Sequence, residues 1–124
     1  MVCAYGAFLM GQHAAQRMLK AGRGTILFTG ASAGVKGYAK SAPFAMGKFA
    51  LRGLAQSMAR ELHPQNIHIG HFVIDGGIAK DGDGRGDDAA LHPDAIAQSY
   101  LQFHRQDRSS WAWELELRPW KETF

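Results

Sequence analysis

Only one cysteine, Cys3, occurs in the 124 residues, so no internal disulfide can form. That usage favours a reducing, cytoplasmic setting. No apolar run reaches the roughly 18 residues that a membrane-spanning helix needs. Val2 to Met10 is greasy enough to imitate a signal-peptide core. No basic residue precedes it, however, and His13, Gln16 and Arg17 follow with helical rather than cleavage-site character. No membrane is therefore expected as a partner. A basic cluster with interleaved aromatics is also missing, and the net charge of +3 is scattered, so no nucleic acid is expected either. No internal repeat, low-complexity tract or domain boundary is found, and residues 1–124 are expected to form a single, partial domain. What is present is a globular composition, 46% hydrophobic and 20% charged.

The pattern predicts six elements. Residues 3–20 read as a helix, with Ala7, Met10, Ala14 and Met18 on one face and Phe8, Ala15 and Leu19 in a second stripe. Gly22 and Gly24 stop it. "TILFT" (25–29) is a short apolar run of the kind found in strands buried on both faces. After a glycine-rich loop, Ser41 can cap a second helix with Pro43 in its first turn, running to about Leu62, where "HPQN" ends it. "IHIGHFVI" (67–74) is a second strand and Pro93 to about Gln106 a third helix. In "WAWELEL", Trp111, Trp113, Leu115 and Leu117 alternate with Ala112, Glu114 and Glu116, which predicts a strand with one buried face and one wet or partner-covered face. Strands separated by helices call for parallel pairing with right-handed crossovers, an α/β fold.

The second helix carries the most informative stretch, "PFAMGKFAL" (43–51). At about 100° per residue, Phe44, Leu51, Leu54, Ala55, Met58 and Leu62 form a core stripe, and Lys48 falls about 40° from Phe44 at its edge. On pattern alone Lys48 is a boundary lysine with its stem on the core and its amine in water. Met46, Phe49 and Gly53 lie on the far side, where a monomer places polar residues. Glycine in mid-helix costs about 1 kcal/mol against alanine, which makes sense if another helix comes close.

From Gly24 to Ile78, "GTILFTGASAG" and then "APFAMGKFALRGLAQSMARELHPQNIHIGHFVIDGGI" resemble the C-terminal half of the short-chain dehydrogenase/reductase family. The first helix and the tail "HPDAIAQSYLQFHRQDRSSWAWELELRPW" resemble the flanking parts, so the likeness covers nearly the whole chain. The resemblance implies a Rossmann-like parallel sheet of which about three strands are here. In that family a strand ends at a catalytic serine, a Tyr-x-x-x-Lys pair follows on a long helix, and a Pro-Gly-x-Ile/Val-x-Thr loop touches the nicotinamide. Carried over by position, Lys48 falls on the lysine, Phe44 on the tyrosine, Ala31 on the serine and Cys3 on a helix asparagine of the proton relay. Asp75 replaces the loop proline, Gly76 and Ile78 match, and Lys80 stands where threonine is usual. The implied cofactor is NAD or NADP, gripped by Lys48 at the ribose and met by Asp75, Gly76 and Ile78. The implied substrate is a small carbonyl or alcohol.

Phenylalanine cannot exchange the proton that a lysine-assisted phenol supplies, and alanine cannot hold a substrate carbonyl. Losing a general acid/base typically forfeits about 10²- to 10⁴-fold in rate. Ser32 and Tyr38 are the candidate stand-ins. Alternation points Ser32 the wrong way, however, and Tyr38 is not one helical turn from Lys48.

Other signals are weaker. "TGASAGVKG" is similar to the family's phosphate-binding glycine motif. Its last glycine, Gly37, comes one residue late, no helix starts at the glycines, and a complete helix precedes the strand. The phosphate loop is thus expected to be absent from this chain, which reads either as a fragment or as a chain that completes its sheet against another. The first strand would then have an open edge. Asp81, Asp83, Arg85 and Asp87 with Gly86 are similar to a calcium loop, spoiled by Arg85 and His92 at liganding positions. A mobile substrate loop is the better reading, and "RGD" (85–87) has no specificity. His68 and His71, three apart on a strand, face opposite sides, so no metal is expected. The apolar outer faces of the helices at 3–20 and 42–62 fit a homo-oligomer, which the resemblance also implies. Burial against the missing half of the domain is the alternative.

Two function classes stay open. One is an oxidoreductase whose hydride transfer is impaired or atypical. The other is a catalytically silent dinucleotide-binding or assembly module, or a truncated piece.

Overall fold

The computed structural model describes residues 2–31, 34, 39–40, 42–80 and 88–123, with the side chains of Val2 and Cys3 left out. Six main elements follow in the expected order: α1 (Val2–Ala21), β1 (Gly24–Ala31), α2 (Ala42–Leu62), β2 (Ile67–Ile74), α3 (Pro93–His104) and β3 (Glu114–Leu117). The ends have local causes. Gly22 takes a left-handed φ of 77° and donates its N–H to Met18, closing α1. After α2 a 3-10 turn at His63–Gln65 carries Pro64, and Asn66 turns left-handed at φ 68° while its side-chain amide donates to the Gly22 carbonyl. Ser41, expected as the cap of α2, lies outside the described residues.

The strands form one parallel sheet in the order β1-β2-β3. β1 pairs with β2 along its full length, from Gly24 opposite Ile67 to Ala31 opposite Ile74, and β3 joins only the second half of β2. Residues of β2 alternate between two cores. Ile67 and Ile69 join Phe28, Leu51, Ala55, Ala59 and Leu62 under α1 and α2. Phe72 and Ile74 join Phe103 and the partly buried Tyr100 and Ile96 of α3 on the other face. The sheet therefore steps twice in the same direction with its crossover helices on opposite faces. The two crossovers must then have opposite hands, and one departs from the right-handed rule expected from sequence. The connection leaving β2 at Asp75 reaches α3 only at Pro93, and this length relaxes the constraint.

Packing corrects three patterns. Met10 is 73% exposed, because the buried arc of α1 runs through Ala4, Gly11 and Ala15, between the two expected stripes. Phe44 is 55% exposed and leaves the core stripe of α2, where Ala45, Leu51, Ala55, Ala59 and Leu62 are buried. The alternation in "WAWELEL" breaks before Glu114. Trp113 packs in the α1/α2 core, Leu115 and Leu117 pack against α3, and the strand begins only after this change of phase.

Candidate active site

Parallel strands end together, so the carboxyl ends of β1 and β2 lie side by side, with Ala31 directly opposite Ile74. Chain segments leaving this edge build the crevice in which open α/β sheets hold their ligands. Four of the seven sequence-chosen positions sit at this edge or leave from it: Ala31 ends β1, and Asp75, Gly76 and Ile78 follow β2.

Lys48 reaches the same edge from α2. Its backbone carbonyl lies 3.4 Å from where a Cβ on Gly34 would stand, three residues beyond the end of β1. The same point on Gly34 is 3.7 Å from the His71 ring. The lysine is half-buried, and its Nζ sits 5.6 Å from the centroid of the Phe44 ring one turn earlier. Its charge is felt at His71, whose protonation it disfavours. The backbone of Lys48 thus passes beside Gly34, just beyond the end of β1, while its amine lies over the Phe44 ring. Phe44 offers that amine an aromatic face and no hydroxyl. Cys3 lies in the first turn of α1, and its side chain is outside the described residues, as are Ser32, Tyr38, most of the glycine motif and the Asp81–Asp87 segment.

The turn after β2 is tightly held. The Asp75 N–H donates to the Leu117 carbonyl at 2.8 Å, and the Asp75 carboxylate, 6% exposed with its residue, accepts from Arg118 Nε at 3.4 Å. Gly76 has φ 150°, and a Cβ there would lie 2.7 Å from Pro119, so only glycine fits. Ile78 forms a lone parallel bridge with Leu91, yet its side chain is 52% exposed at the mouth of the crevice. A groove of about 440 Å³ opens beside it, lined by Thr29, Ile78, Pro93, Ile96, Ala97 and Tyr100. In it the Tyr100 hydroxyl pairs with Thr29 at 2.7 Å, and burial raises the phenol above its ordinary range. Tyr100 is therefore a neutral hydrogen-bonding group and no ready proton base.

Sequence reading missed a polar cluster beneath the edge. Glu114, assigned to a wet or partner-covered face, turns inward. Arg52 of α2 clamps it with two hydrogen bonds, Nε at 2.6 Å and Nη2 at 3.1 Å, and His71 Nδ1 lies 3.0 Å from it. Burial pushes the Glu114 carboxyl up, but the bonds from Arg52 and His71 outweigh it and hold the group below its ordinary range. Burial lowers His71, against the pull of Glu114, so the ring is neutral and donates from Nδ1. Its Nε2 has no hydrogen-bond partner among the described residues and faces Gly30, where a Cβ would stand 2.5 Å away. The signal was present in sequence: a histidine and a glutamate inside apolar strands become direct partners once β2 and β3 pair in parallel. His68 faces the other side. It is sandwiched between Phe103 and Trp111 with Nε2 on the Ala112 carbonyl, and burial lowers it as well. Among the described residues no cluster of potential metal ligands is found, and no helix is long and apolar enough to cross a membrane.

A family model described as short chain dehydrogenase matches residues 2–80. Among solved structures, a short-chain dehydrogenase from Rhodopseudomonas palustris is 41% identical with a TM-score of 0.78, over 94% of this chain and 48% of that one. An acetoin dehydrogenase from Enterobacter cloacae is 25% identical with a TM-score of 0.78, over 95% of this chain and 51% of that one. A closed form of serine dehydrogenase complexed with NADP+ is 17% identical with a TM-score of 0.81, over 96% of this chain and 53% of that one; at that identity the likeness concerns the fold. The chain thus spans about half the length of these structures. No curated protein matches it.

Proposed function

Because the chain belongs to the short-chain dehydrogenase family, we propose that it is the C-terminal half of an NAD- or NADP-dependent oxidoreductase acting on a small alcohol or carbonyl compound, with its proton-transfer step weakened. The observation that carries this reading is the setting of Lys48: half-buried on α2, one turn after an aromatic ring, with its backbone beside Gly34 just beyond β1. A nicotinamide nucleotide fits what surrounds it. The ammonium is a donor for ribose hydroxyls. Ile78 presents an exposed apolar surface at the crevice mouth, suited to one face of a nicotinamide ring, and the Asp75–Ile78 turn is rigidly placed beside it. When bound, the cofactor supplies or accepts the hydride.

This chain's residues orient rather than titrate. Lys48 would hold the ribose, and Ile78 with its neighbours would exclude water from one side of the ring. Phe44 and Ala31 stand at the positions read as tyrosine and serine, and neither can move a proton or polarise a carbonyl. In reduction the carbonyl oxygen would take its proton from solvent and in oxidation the alcohol would lose it to solvent, and the turnover expected is about 10²- to 10⁴-fold below that of a complete acid/base set. The apolar outer surfaces of α1 and α2, with Met10, Met46 and Phe49 exposed, supply a surface for a second copy.

Titration of NADH and NADPH fluorescence with the purified chain tests the reading. Saturable binding with slow turnover of a carbonyl panel is expected, and Phe44→Tyr combined with Ala31→Ser should raise the rate by at least 10²-fold. Binding without any turnover, unchanged by the double substitution, would favour a silent dinucleotide-binding module. No binding would leave only the family fold.

A further inference from the structure

Position 75 is where a rigid turn residue would be expected, and the chain instead has a buried aspartate. We propose that Asp75 and Arg118 form a latch that positions the Asp75–Ile78 turn for the nicotinamide end of the cofactor, which makes them positioning residues; the inference rests on the functional reading just given.

Three contacts converge on this turn from the end of β3 and the short tail that follows it. Arg118 Nε donates to the Asp75 carboxylate at 3.4 Å and also pairs with Glu116. The Asp75 N–H donates to Leu117, the last residue of β3, which extends the β2–β3 pairing one residue past the end of β2. Pro119 sits against Gly76 so closely that no Cβ is tolerated there. On its other side the turn is tied to Leu91. The Leu91 N–H donates to Gly77 and the Ala79 N–H donates to Leu91, both at 2.8 Å. Trp120 Nε1 reaches Asp88 at 3.4 Å, so the tail also meets the segment of the same connection that leads into α3. Every tether acts on the backbone or on Asp75, and Ile78 is left facing outward.

The chemistry explains the choice of residues. Proline at 75 would restrict φ but remove the N–H that Leu117 now accepts. Aspartate keeps that donor, and its carboxylate recovers the lost rigidity by bonding a guanidinium carried by the neighbouring strand's exit. The carboxylate is nearly buried while the Arg118 side chain is 21% exposed. The pair is therefore screened on one side only, and an Asp75 left without its cation would be poorly solvated. The latch is not a ligand: its groups face each other, and what it delivers is the orientation of the next three residues.

The test pairs hydrogen exchange with cofactor binding. Asp75→Asn and Arg118→Gln should each speed amide exchange at residues 76–79 by about tenfold and weaken NADH or NADPH binding by a similar factor, without lowering the exchange protection of β1. The combined substitution should do no more than Arg118→Gln alone, because both single changes remove the same Asp75–Arg118 bond. Arg118→Lys, which keeps the charge on a milder change, should restore most of both. Unchanged exchange in the single variants overturns the latch. Faster exchange with unchanged dinucleotide affinity, or no rescue by lysine, overturns its positioning role. Wild-type protein that binds neither dinucleotide overturns the functional reading, and the cofactor role of the latch falls with it.

Discussion

The two halves of α2 have similar apolar content and opposite surroundings. From Leu51 to Leu62 the helix lays Leu51, Ala55, Ala59 and Leu62 on β1 and β2, and these side chains are almost fully buried. From Phe44 to Phe49 it leaves Phe44, Met46 and Phe49 exposed, with only Ala45 and Gly47 turned inward. A helical period is the same in both halves, so periodicity alone predicts one continuous core stripe. The difference teaches that the N-terminal half has been released from core duty: small residues face the sheet, and large ones project outward from it.

The sharpest way to break this comparison is truncation. Leu51→Ala should cost about 2–5 kcal/mol, because a residue 2% exposed leaves a cavity behind. Phe44→Ala should cost well under 1 kcal/mol despite removing more atoms. Equal losses in urea midpoint would show that the N-terminal half is core after all.

A smaller effect comes from the polar cluster that ties the middle of α2 to β3. Glu114→Ala strands Arg52 and the buried Nδ1–H of His71 and should cost about 1–3 kcal/mol. The cluster also sets a pH dependence. His71 and Glu114 both have folded values lowered from their ordinary ones, so the unfolded chain takes up protons first as pH falls. Stability should be full above about pH 7 and decline through the ordinary histidine and then carboxylate ranges. Urea unfolding at stepped pH checks this. His71→Asn should flatten the upper part of the decline, and a rise in stability on acidification would contradict the neutral-histidine assignment.

The smallest effect on folding should come from the outer face. Phe49→Glu is expected to change monomer stability by less than about 0.5 kcal/mol. If a second copy covers this face, the same change should abolish self-association in sedimentation velocity. An unaffected dimer would place the contact elsewhere.

The elements were legible because each had a local cause. The order of helices and strands, the stop at Gly22 and the turn at "HPQN" follow from period, glycine and proline, and β2 spans 67–74 as its apolar run predicts. The inward turn of Glu114 was not legible. Strand alternation put it on the face opposite Leu115 and Leu117, where it lies, but nothing local showed that α2 covers that face and brings Arg52 onto it. The tail's hold on Asp75 was equally hidden, since Arg118 lies 43 residues away and nothing local marks it as a partner.

By itself the sequence determined which segments coil, which extend and that the strands must be parallel, because backbone preference and burial period act over a few residues. Only the tertiary structure decided which charged groups meet, which face of α2 stays bare and that the two crossovers differ in hand. Those outcomes depend on which strands lie side by side, and side chains far apart along the chain become neighbours only when the sheet has formed.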